Sequence, residues 1–484
     1  MKKVLGVPIF LIHYILYKKR GKSMGKKKLI SLGLILTMTA SMFAGCGSSD
    51  DADDSKPSKV ATAEDNEEVN SGRVYYYNFK PEQKEAYEKA AQAFMDENKG
   101  IKVTVETEAN NQYQTSLTAE ITKDEAPTLF IINGPAGYNS WKDYCAELTD
   151  TKLAKMVKND GFTVKSDGKV YGLASCLEGY GLIYNKEIID KYCALDGALI
   201  KSVDDIKDYE TLNKVATDMT AKKADLGIDA AFASTTMEKS DNWRWVTHLN
   251  NLPLYYEFKD SGITDLTDTI EFKYADNYKK VLDMYLKNDI ADERGKSTDD
   301  SVAQFALGRC AFVQNGSWAW TTISQTKGNV VKAENCGFLP IYCGVDDANE
   351  GICVGTENFY AINAKASEED QKATVKFLEW LYTSESGMKI LKDDLQFISP
   401  FNNEQADTSS DNPLINQIAS DSAAGKVTPW VFQLIPSEDF KQEFGSQLKA
   451  YAENMTDDNW ANVVKTYKDS WASQMEIVRS ETEE

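Results

Sequence analysis

Histidine and cysteine supply many catalytic bases, nucleophiles and transition-metal ligands. This chain has few histidines that could serve in any of these roles. It has two, His13 and His248, and His13 lies in an N-terminal segment that we expect to be removed. A serine triad needs an imidazole base, and most zinc sites use several His or Cys ligands. His248 stands alone in Trp-Val-Thr-His-Leu, which favours helix packing over catalysis. We therefore expect no metal, no cofactor and no catalytic histidine.

Cysteines are more numerous, but their number and spacing favour free thiols. An odd number follows Cys46, so these cysteines cannot all pair within one chain, and no Cys-x-x-Cys occurs. Disulfides form outside the cytoplasm, yet free buried thiols fit the odd count better. The spacing of the last three matches no known metal pattern. The seven are Cys145, Cys176, Cys193, Cys310, Cys336, Cys343 and Cys353.

Cys46 has a sequence context of its own. A lysine cluster at 26–28, an apolar run at 29–43 and the small pair Ala44-Gly45 precede it, and these are the three parts of an export signal. Phe43-Ala44-Gly45-Cys46 resembles the lipobox of bacterial lipoproteins, in which the cysteine is acylated and becomes the mature N-terminus. Residues 1–45 are then the signal, with Met24 as the expected start and 1–23 upstream of it. The alternatives are an ordinary secretory peptide or a membrane anchor, although the apolar run is short for a span.

Residues 46–72 are predicted to be the lipidated cysteine and a disordered acidic tether. Residues 47–72 hold eight acids, two lysines and only Val60 and Val69 as large aliphatic side chains. This is too little apolar surface to offset the conformational entropy that the segment would lose on ordering. Removing residues 1–45 takes away nine of the 54 Lys and Arg and none of the 75 acids, so the net charge falls from −21 to −30. A surface this acidic repels nucleic acid and anionic lipid, which excludes a nucleic-acid-binding function.

The segment after the tether alternates between strands and helices. Residues 73–79 are dense in Val and Tyr and predict a strand. Pro81 opens a helix, residues 101–105 alternate as a second strand, and a polar helix leads to the apolar run 129–132. This order predicts a parallel sheet whose ligand-facing edge lies at the carboxyl ends of its strands, at Asn78 and Asn133.

The remainder of the chain predicts more strands and a large helical part. Residues 168–185 predict two extended segments joined by a Gly-rich bend, and Ser202 and Ser367 begin capped helices. Further extended segments are predicted at 310–314, 338–341 and 359–363. The 439 residues from Cys46 onward are too many for one hydrophobic core and predict two domains.

Several stretches, taken in order, resemble the carbohydrate-type extracellular solute-binding proteins of ABC importers, the maltose-binding-protein-like family. No single stretch is specific, but the ordered set covers nearly the whole mature chain. The stretches are YYYNFKPE (75–82), APTLFIINGP (126–135), YGLASCLEGYGLIYNKEII (171–189), FALGRCAFVQNGSWAW (305–320), FLPI (338–341) and ENFYAINAKASEEDQKATVKFLEWL (357–381).

This resemblance implies an α/β fold of the periplasmic-binding-protein type, with two lobes that close like a clamshell and extended crossovers near 178–183 and 339–342. The first lobe is then 73–180 with 342–392, and the second is 181–341 with 393–484. The implied function is non-enzymatic: capture of a sugar, expected to be an oligosaccharide, and its delivery to the permease subunits of an ABC importer. The protein is expected to act as a monomer, anchored through Cys46 to the outer face of the bacterial cell membrane.

A sugar presents hydroxyl edges, which planar amides and carboxylates can grip, and C–H faces, which aromatic rings can cover. We therefore look for such residues where strands end or lobes cross. Trp243 and Trp245 point to different sides of one helix, so one is expected in the core and the other at the site. Asn78 could instead hold a turn, and Tyr180 could belong to the core. The candidates are Asn78, Asn133, Tyr138, Glu178, Tyr180, Trp243, Asn315, Trp318, Glu357, Asn358 and Trp430.

Two other functions stay open at this point. A surface glycoside hydrolase or lyase needs two carboxylates flanking one bond, and nothing marks such a pair among the 75 acids. The same fold could also bind a solute other than a sugar, because a fold alone does not name a ligand. Abundant Trp and Asn favour a sugar, whereas an acidic pocket without Trp walls would favour a polyamine.

Overall fold

Strands and helices alternate along the first part of the chain, as the hydrophobic spacing predicts. The computed structural model describes residues 58–62, 68–108, 112–234, 236–238, 241–290, 297–403 and 410–483. Residues 56–484 form one compact unit. The strands are β1 (Gly72–Asn78), β2 (Ile101–Thr107), β3 (Leu129–Asn133), β4 (Thr163–Ser166), β5 (Lys169–Ala174), β6 (Glu178–Asn185), β7 (Phe312–Gly316), β8 (Cys336–Leu339), β9 (Ile352–Gly355), β10 (Asn358–Ile362) and β11 (Val427–Pro429).

Several helices begin at a side chain that accepts a hydrogen bond from the first turn, such as Asp208, Ser367 and Ser437. Residues 244–249 form a π-helix rather than an α-helix. The α-helices are α1 (Lys84–Glu97), α2 (Tyr113–Glu120), α3 (Gly134–Trp141), α4 (Lys152–Met156), α5 (Lys186–Cys193), α6 (Tyr209–Ala221), α7 (Lys223–Leu226), α8 (Asn251–Ser261), α9 (Ala275–Lys287), α10 (Thr298–Ala306), α11 (Ala319–Gln325), α12 (Glu368–Thr383), α13 (Glu385–Asp393), α14 (Pro413–Ala423), α15 (Glu438–Glu453) and α16 (Asp457–Glu483).

The first lobe is a sheet with strand order β2-β1-β3-β10-β5-β4. The predicted parallel arrangement is confirmed, because β1 pairs in parallel with both β2 and β3, while β10 runs antiparallel to β3 and β5. Helices α1 and α12 pack on this sheet. The core between them includes Phe94, Phe130, Tyr360 and Trp380.

The second lobe has its own sheet, in which β6 is the central strand. One edge of β6 pairs antiparallel with β7, and the other pairs antiparallel with β9 and β8 in turn. Strand β11 lies parallel to β9 at the edge. Helices from the middle and the C-terminal part of the chain form a separate core that includes Tyr278, Phe444, Tyr467 and Trp471. The two-lobed α/β fold is therefore present.

The chain passes between the sheets close to one of the two predicted places and at two others. The first passage lies at residues 175–177, directly before β6 and next to the crossover predicted near 178–183. The second lies at 356–357, because β9 still pairs with β6, so the predicted crossover at 339–342 is wrong. A third passage follows residue 401: Leu395 and Phe401 belong to the first core, whereas Leu414 belongs to the second lobe. The predicted assignment of residues 393–403 to the second lobe is also wrong.

Part of the predicted tether is ordered chain that packs on the first lobe. The backbone of Val60 donates to the carbonyl of Glu147 at 2.9 Å, and Glu147 donates back to Ser58 at 3.1 Å. The Ala61 N–H donates to Gln371 Oε1 at 2.8 Å. Val60 is buried in the first core, so this single apolar side chain anchors a segment that composition predicted to be disordered. The signal at 1–45 and Cys46 lie outside the described residues.

The cysteine prediction is confirmed among the described residues, because the cysteines after Cys46 are buried apart from the half-buried Cys193, and Cys145, Cys176, Cys193, Cys336, Cys343 and Cys353 are free thiols. Within the described ranges, no helix is both long and apolar enough to cross a membrane.

Candidate ligand-binding site

An aromatic cluster lies at the edge of the second sheet, where β6 begins and where β7 and β11 end. Tyr180 and His248 stack with ring centroids 4.0 Å apart and planes within 8°. Trp243 and Trp318 lie 6.1 Å from each other and 4.7 and 5.6 Å from His248. The rings that form this aromatic cluster are Tyr180, Trp243, His248, Trp318, Trp430 and Phe432.

Two glycines make room for the outermost rings. The Trp318 indole lies directly on Gly316, where a Cβ atom would stand 2.2–2.5 Å from the ring. Trp430 lies on Gly355 in the same way, with its Cγ 2.6 Å from the position of a Cβ. Any larger residue at either position would displace the indole, so the placement of both rings depends on these glycines.

The first lobe reaches this cluster through the turn after β1. Asn78 is fully buried, and its Oδ1 accepts from the Lys80 backbone N–H at 3.1 Å while its Nδ2 donates to the Lys80 carbonyl at 3.0 Å. The alternative predicted for Asn78, a residue that holds its own turn, is therefore the observed one. The turn directs Lys80 across to the second lobe, where its Nζ lies 6.0 Å from the Trp318 ring centre.

Lys80 and Glu178 form a buried ion pair at the point where the chain enters the second lobe. Lys80 Nζ lies 2.7 Å from Glu178 Oε1, and Asn358 Nδ2 donates to Glu178 Oε2 at 3.2 Å. Burial opposes the charge on Lys80, but the carboxylates of Glu178 and Glu82 outweigh it and raise the pKa of the lysine. The pair joins β1, β6 and β10, and hence both lobes.

A second charged group lies beside the passage at 356–357. Burial raises the pKa of Glu357, and the nearby Lys441 offsets part of that effect. Lys441 Nζ donates to Glu438 Oε1 at 2.7 Å. Burial opposes its charge, yet Glu438 and Glu357 together raise the pKa of Lys441.

Polar atoms without a hydrogen-bond partner concentrate around the aromatic cluster. Buried polar atoms are normally bonded, so their accumulation in one place marks a position prepared for something else. A polyhydroxylated ligand could satisfy them, because each hydroxyl both donates and accepts. Counting partners only among the described residues, the atoms are Arg244 Nε and Nη1, His248 Nδ1, Asn315 Nδ2, Asn358 Oδ1, Trp430 Nε1 and Gln433 Oε1.

The two lobes meet next to these atoms. Helix α3 of the first lobe contacts the 3-10 turn Phe432–Leu434 of the second. Gly134 has a φ of +60° and lies so close that a Cβ would stand 3.2 Å from the Cβ of Gln433. On the other side of Trp318, a pocket is lined by Gln83 and Phe397 from the first lobe and by Trp318 from the second. The cluster is therefore enclosed by both lobes.

Eight of the eleven predicted site residues are brought together here, and three are not, the first being Asn78, which holds its own turn. Tyr138 lies in the first core, where it stacks on Tyr171 at 4.9 Å. Asn133 ends β3, where it lies opposite Asn358 in the first sheet rather than among the rings of the cluster. Trp245 is buried in the core, while Trp243 lies in the aromatic cluster. The residues that meet around the cluster are Glu178, Tyr180, Trp243, Asn315, Trp318, Glu357, Asn358 and Trp430.

Sequence reasoning missed the site's cations and its imidazole. Lys80, Arg244 and Lys441 are long charged side chains, which usually lie on the surface. His248 was interpreted as a packing residue, and it does pack, but in the centre of the aromatic cluster. The available signal for Arg244 was its position between two tryptophans. Among the described residues, no group of three or more His, Cys, Asp or Glu could hold a metal ion.

The sequence profile of a family described as bacterial extracellular solute-binding protein matches residues 89–420, well over half of the chain. The chain belongs to this family. No curated protein sequence matches this solute-binding protein.

Solved structures of similar fold accord with the family. RafE of Streptococcus pneumoniae, in its apo form, has 18% identity and a TM-score of 0.62, with 84% of this chain and 99% of that chain covered. A chitin oligosaccharide binding protein has 21% identity and a TM-score of 0.64 over 85% and 100% of the two chains. Maltose-bound MalE3 of T. maritima has 14% identity and a TM-score of 0.60 over 82% and 99%. At these identities the likeness shows the shared two-lobed fold.

The buried imidazole gives this solute-binding protein a predictable pH response. Burial, with the charges of Arg244 and Lys441, holds the pKa of His248 well below its usual 6.5, so the folded protein keeps it neutral. The unfolded chain binds a proton on His248 below about pH 6.5. The contribution of the neutral imidazole to the free energy of unfolding is therefore complete above this pH and is lost as the pH falls. Between pH 7 and pH 5, protonation of His248 in the unfolded chain should lower the free energy of unfolding by about 2 kcal/mol.

Urea unfolding at both pH values checks this, with His248→Phe as the comparison. The variant should lose about 2 kcal/mol less than the wild type between pH 7 and pH 5, because other titrating groups cancel in the difference. An equal pH dependence in the two proteins would mean that His248 takes up a proton in the folded state as readily as in the unfolded chain.

Proposed function

We propose that this protein captures an oligosaccharide between its lobes and delivers it to the permease of an ABC importer without altering it. The observation that carries the proposal is the aromatic cluster surrounded by unpartnered polar atoms. Its half-buried indoles, Trp243 and Trp318, could cover the C–H faces of sugar rings. Asn315, Asn358 and Gln433 supply amides for the hydroxyl edges. A few placed polar groups on aromatic walls are the usual form of such a site.

The ligands of the structural relatives support a sugar over other solutes. RafE has been solved with raffinose and MalE3 with maltose, and a third relative is a chitin oligosaccharide binding protein. The site argues against a polyamine, because its acids Glu178 and Glu357 already face Lys80 and Lys441. The hypothesis of a glycoside-acting enzyme gains nothing from Glu178, because its carboxylate is held by Lys80 and Asn358 and is not left to attack a bond.

Closure of the lobes is the proposed transport signal. The second lobe supplies the rings, while the first supplies Lys80 and the surface of α3 that meets Gln433. A ligand that contacts both lobes favours the closed arrangement by the difference between its affinities for the closed and open states. The importer would then recognise the closed shape.

The proposed location is the outer face of the bacterial cell membrane, with a lipid on Cys46 and a monomeric receptor domain. If Cys46 carries the anchor, Cys46→Ala should move the protein from the membrane fraction to the soluble fraction. Retention of this variant in the membrane would contradict lipidation at that residue.

Titration of intrinsic fluorescence with a glycan panel tests the function. Trp243, Trp318 and Trp430 lie in the site, so a bound oligosaccharide should change the emission saturably, and chromatography should recover the sugar at its original length. A flat response to every glycan, with a response to amino acids, peptides or polyamines, would contradict the sugar assignment. Shortened products would favour the enzyme alternative.

A further inference from the structure

Arg244 is a buried cation at the ligand site with most of its hydrogen-bonding capacity unused. Its side chain is 3% exposed, and its guanidinium carbon lies 3.5 Å from the centre of the Trp243 ring. Nη2 donates to Asn315 Oδ1 at 2.8 Å. Nε and Nη1, which carry three of the five N–H groups of a guanidinium, have no partner among the described residues.

The charge of Arg244 is also unmatched, unlike that of the other two cations at the site. Lys80 pairs with Glu178 and Lys441 pairs with Glu438, each at 2.7 Å. Within the described part of the chain, no carboxylate lies within ion-pairing distance of Arg244, and Asp241 and Asp299 act on it only from farther away. Burial lowers the pKa of Arg244 to about 9, which leaves it charged at neutral pH.

A buried charge without a counter-charge is unfavourable, and neither its ring contact nor a water molecule supplies one. Water could satisfy the N–H groups of Arg244 but would not neutralise it. Arg244 also lines a water-sized cavity with Tyr285 and Gln314, where the Tyr285 hydroxyl is a further donor without a partner among the described residues. The planar fork of a guanidinium matches a carboxylate better than any other common anion except phosphate.

We propose that the oligosaccharide is acidic and that Arg244, at the start of the π-helix 244–249, binds the carboxylate of one of its sugars. This inference rests on the proposed function and narrows its ligand to carboxylated sugars, such as those containing uronic acid. The recognition is local, because the net charge of −21 repels an anion at longer range. The rings of the aromatic cluster would hold the neighbouring sugar units.

Calorimetric titration of the full chain with matched oligosaccharides tests the proposal. The panel holds glucose, galactose, mannose and xylose oligomers, with uronate-containing counterparts, and for each acidic member its methyl ester and its reduced, neutral form. We expect the carboxylate form to bind at least tenfold more tightly than its ester. Sialylated and sulfated oligosaccharides distinguish a uronate from another carboxylate and from a sulfate.

Variants of Arg244 supply the second measurement. Arg244→Gln should abolish the preference for the carboxylate and keep the weaker affinity for the ester, and Arg244→Lys should retain part of the preference. Arg309→Gln is the control, because Arg309 pairs with Asp229 on the surface and its side chain is half exposed. The wild-type comparison stands even if a variant of Arg244 fails to fold.

The outcomes separate this inference from the function on which it rests. Equal or tighter binding of the neutral forms, or a preference for sulfate over carboxylate, would overturn the carboxylated ligand and leave the sugar receptor intact. Binding of no sugar, neutral or acidic, would overturn both.

Discussion

Replacing Trp318 by alanine is expected to weaken oligosaccharide binding by about 30- to 100-fold, or about 2–3 kcal/mol, which is the loss of a central aromatic anchor. Trp318 is half-buried and lies between the cation of Lys80 and the rings of Trp243 and His248. It rests on Gly316, so its own position is fixed before a ligand arrives. A ring that is already ordered loses little entropy on binding.

Calorimetry with the best glycan of the panel measures the effect. Trp318→Phe should keep part of the affinity, since a smaller ring still covers a C–H face. Tyr274→Ala removes an equally half-buried ring of the second lobe that hydrogen-bonds Asp260 outside the site, and it should leave the affinity unchanged. If Trp318→Ala binds as tightly as Tyr274→Ala, the aromatic cluster is not the sugar site.

The local elements of this fold could be predicted because each depends on neighbouring residues. Ile101 and Val103 alternate with exposed residues and form β2 as expected. Tyr87, Ala90 and Phe94 recur at helical spacing and are buried along α1. In both cases the spacing of a few apolar side chains is sufficient to fix the element.

Membership of a sheet could not be predicted in the same way. The run Ile352–Gly355 suits either sheet, and it belongs to the second only because it pairs with β6, which lies far away in sequence. The same limit applies to Val60, whose burial depends on the backbone of Glu147 and the side chain of Gln371. Contacts with residues far away in the sequence determine the sheet of residues 352–355 and the burial of Val60, and composition does not indicate such contacts.

The aromatic residues of the candidate site could be proposed from sequence, but its cations could not. Trp318 stands out because it follows the extended segment predicted at 310–314, and Trp430 because a large ring can cover the C–H face of a sugar. In the folded chain, Lys80 pairs with the carboxylate of Glu178, 98 positions away, and Arg244 donates to the side-chain amide of Asn315, 71 positions away. A long basic side chain is usually solvated, so only the folded chain reveals that these two are enclosed.

The Lys80–Glu178 pair provides the largest expected effect on stability. Lys80→Met should lower the free energy of unfolding by about 3–5 kcal/mol, because it leaves a buried carboxylate without its counter-charge. The Glu178 side chain is 9% exposed, and without Lys80 the hydrogen bond from Asn358 Nδ2 is its remaining support among the described residues. Urea unfolding of wild type and variant at pH 7 measures the loss.

A double variant and a surface control identify the cause. Lys80→Met combined with Glu178→Gln should recover most of the stability, because no unpaired charge then stays buried. Lys89→Met removes the same charge from an exposed pair with Asp394, whose lysine side chain is 59% accessible, and should cost less than about 1 kcal/mol. If Lys80→Met costs no more than Lys89→Met, water reaches Glu178 and the two lobes are not joined through a buried ion pair. A large loss that the second substitution does not reverse would instead assign the effect to the packing of the Lys80 side chain beside Phe79 and Trp318.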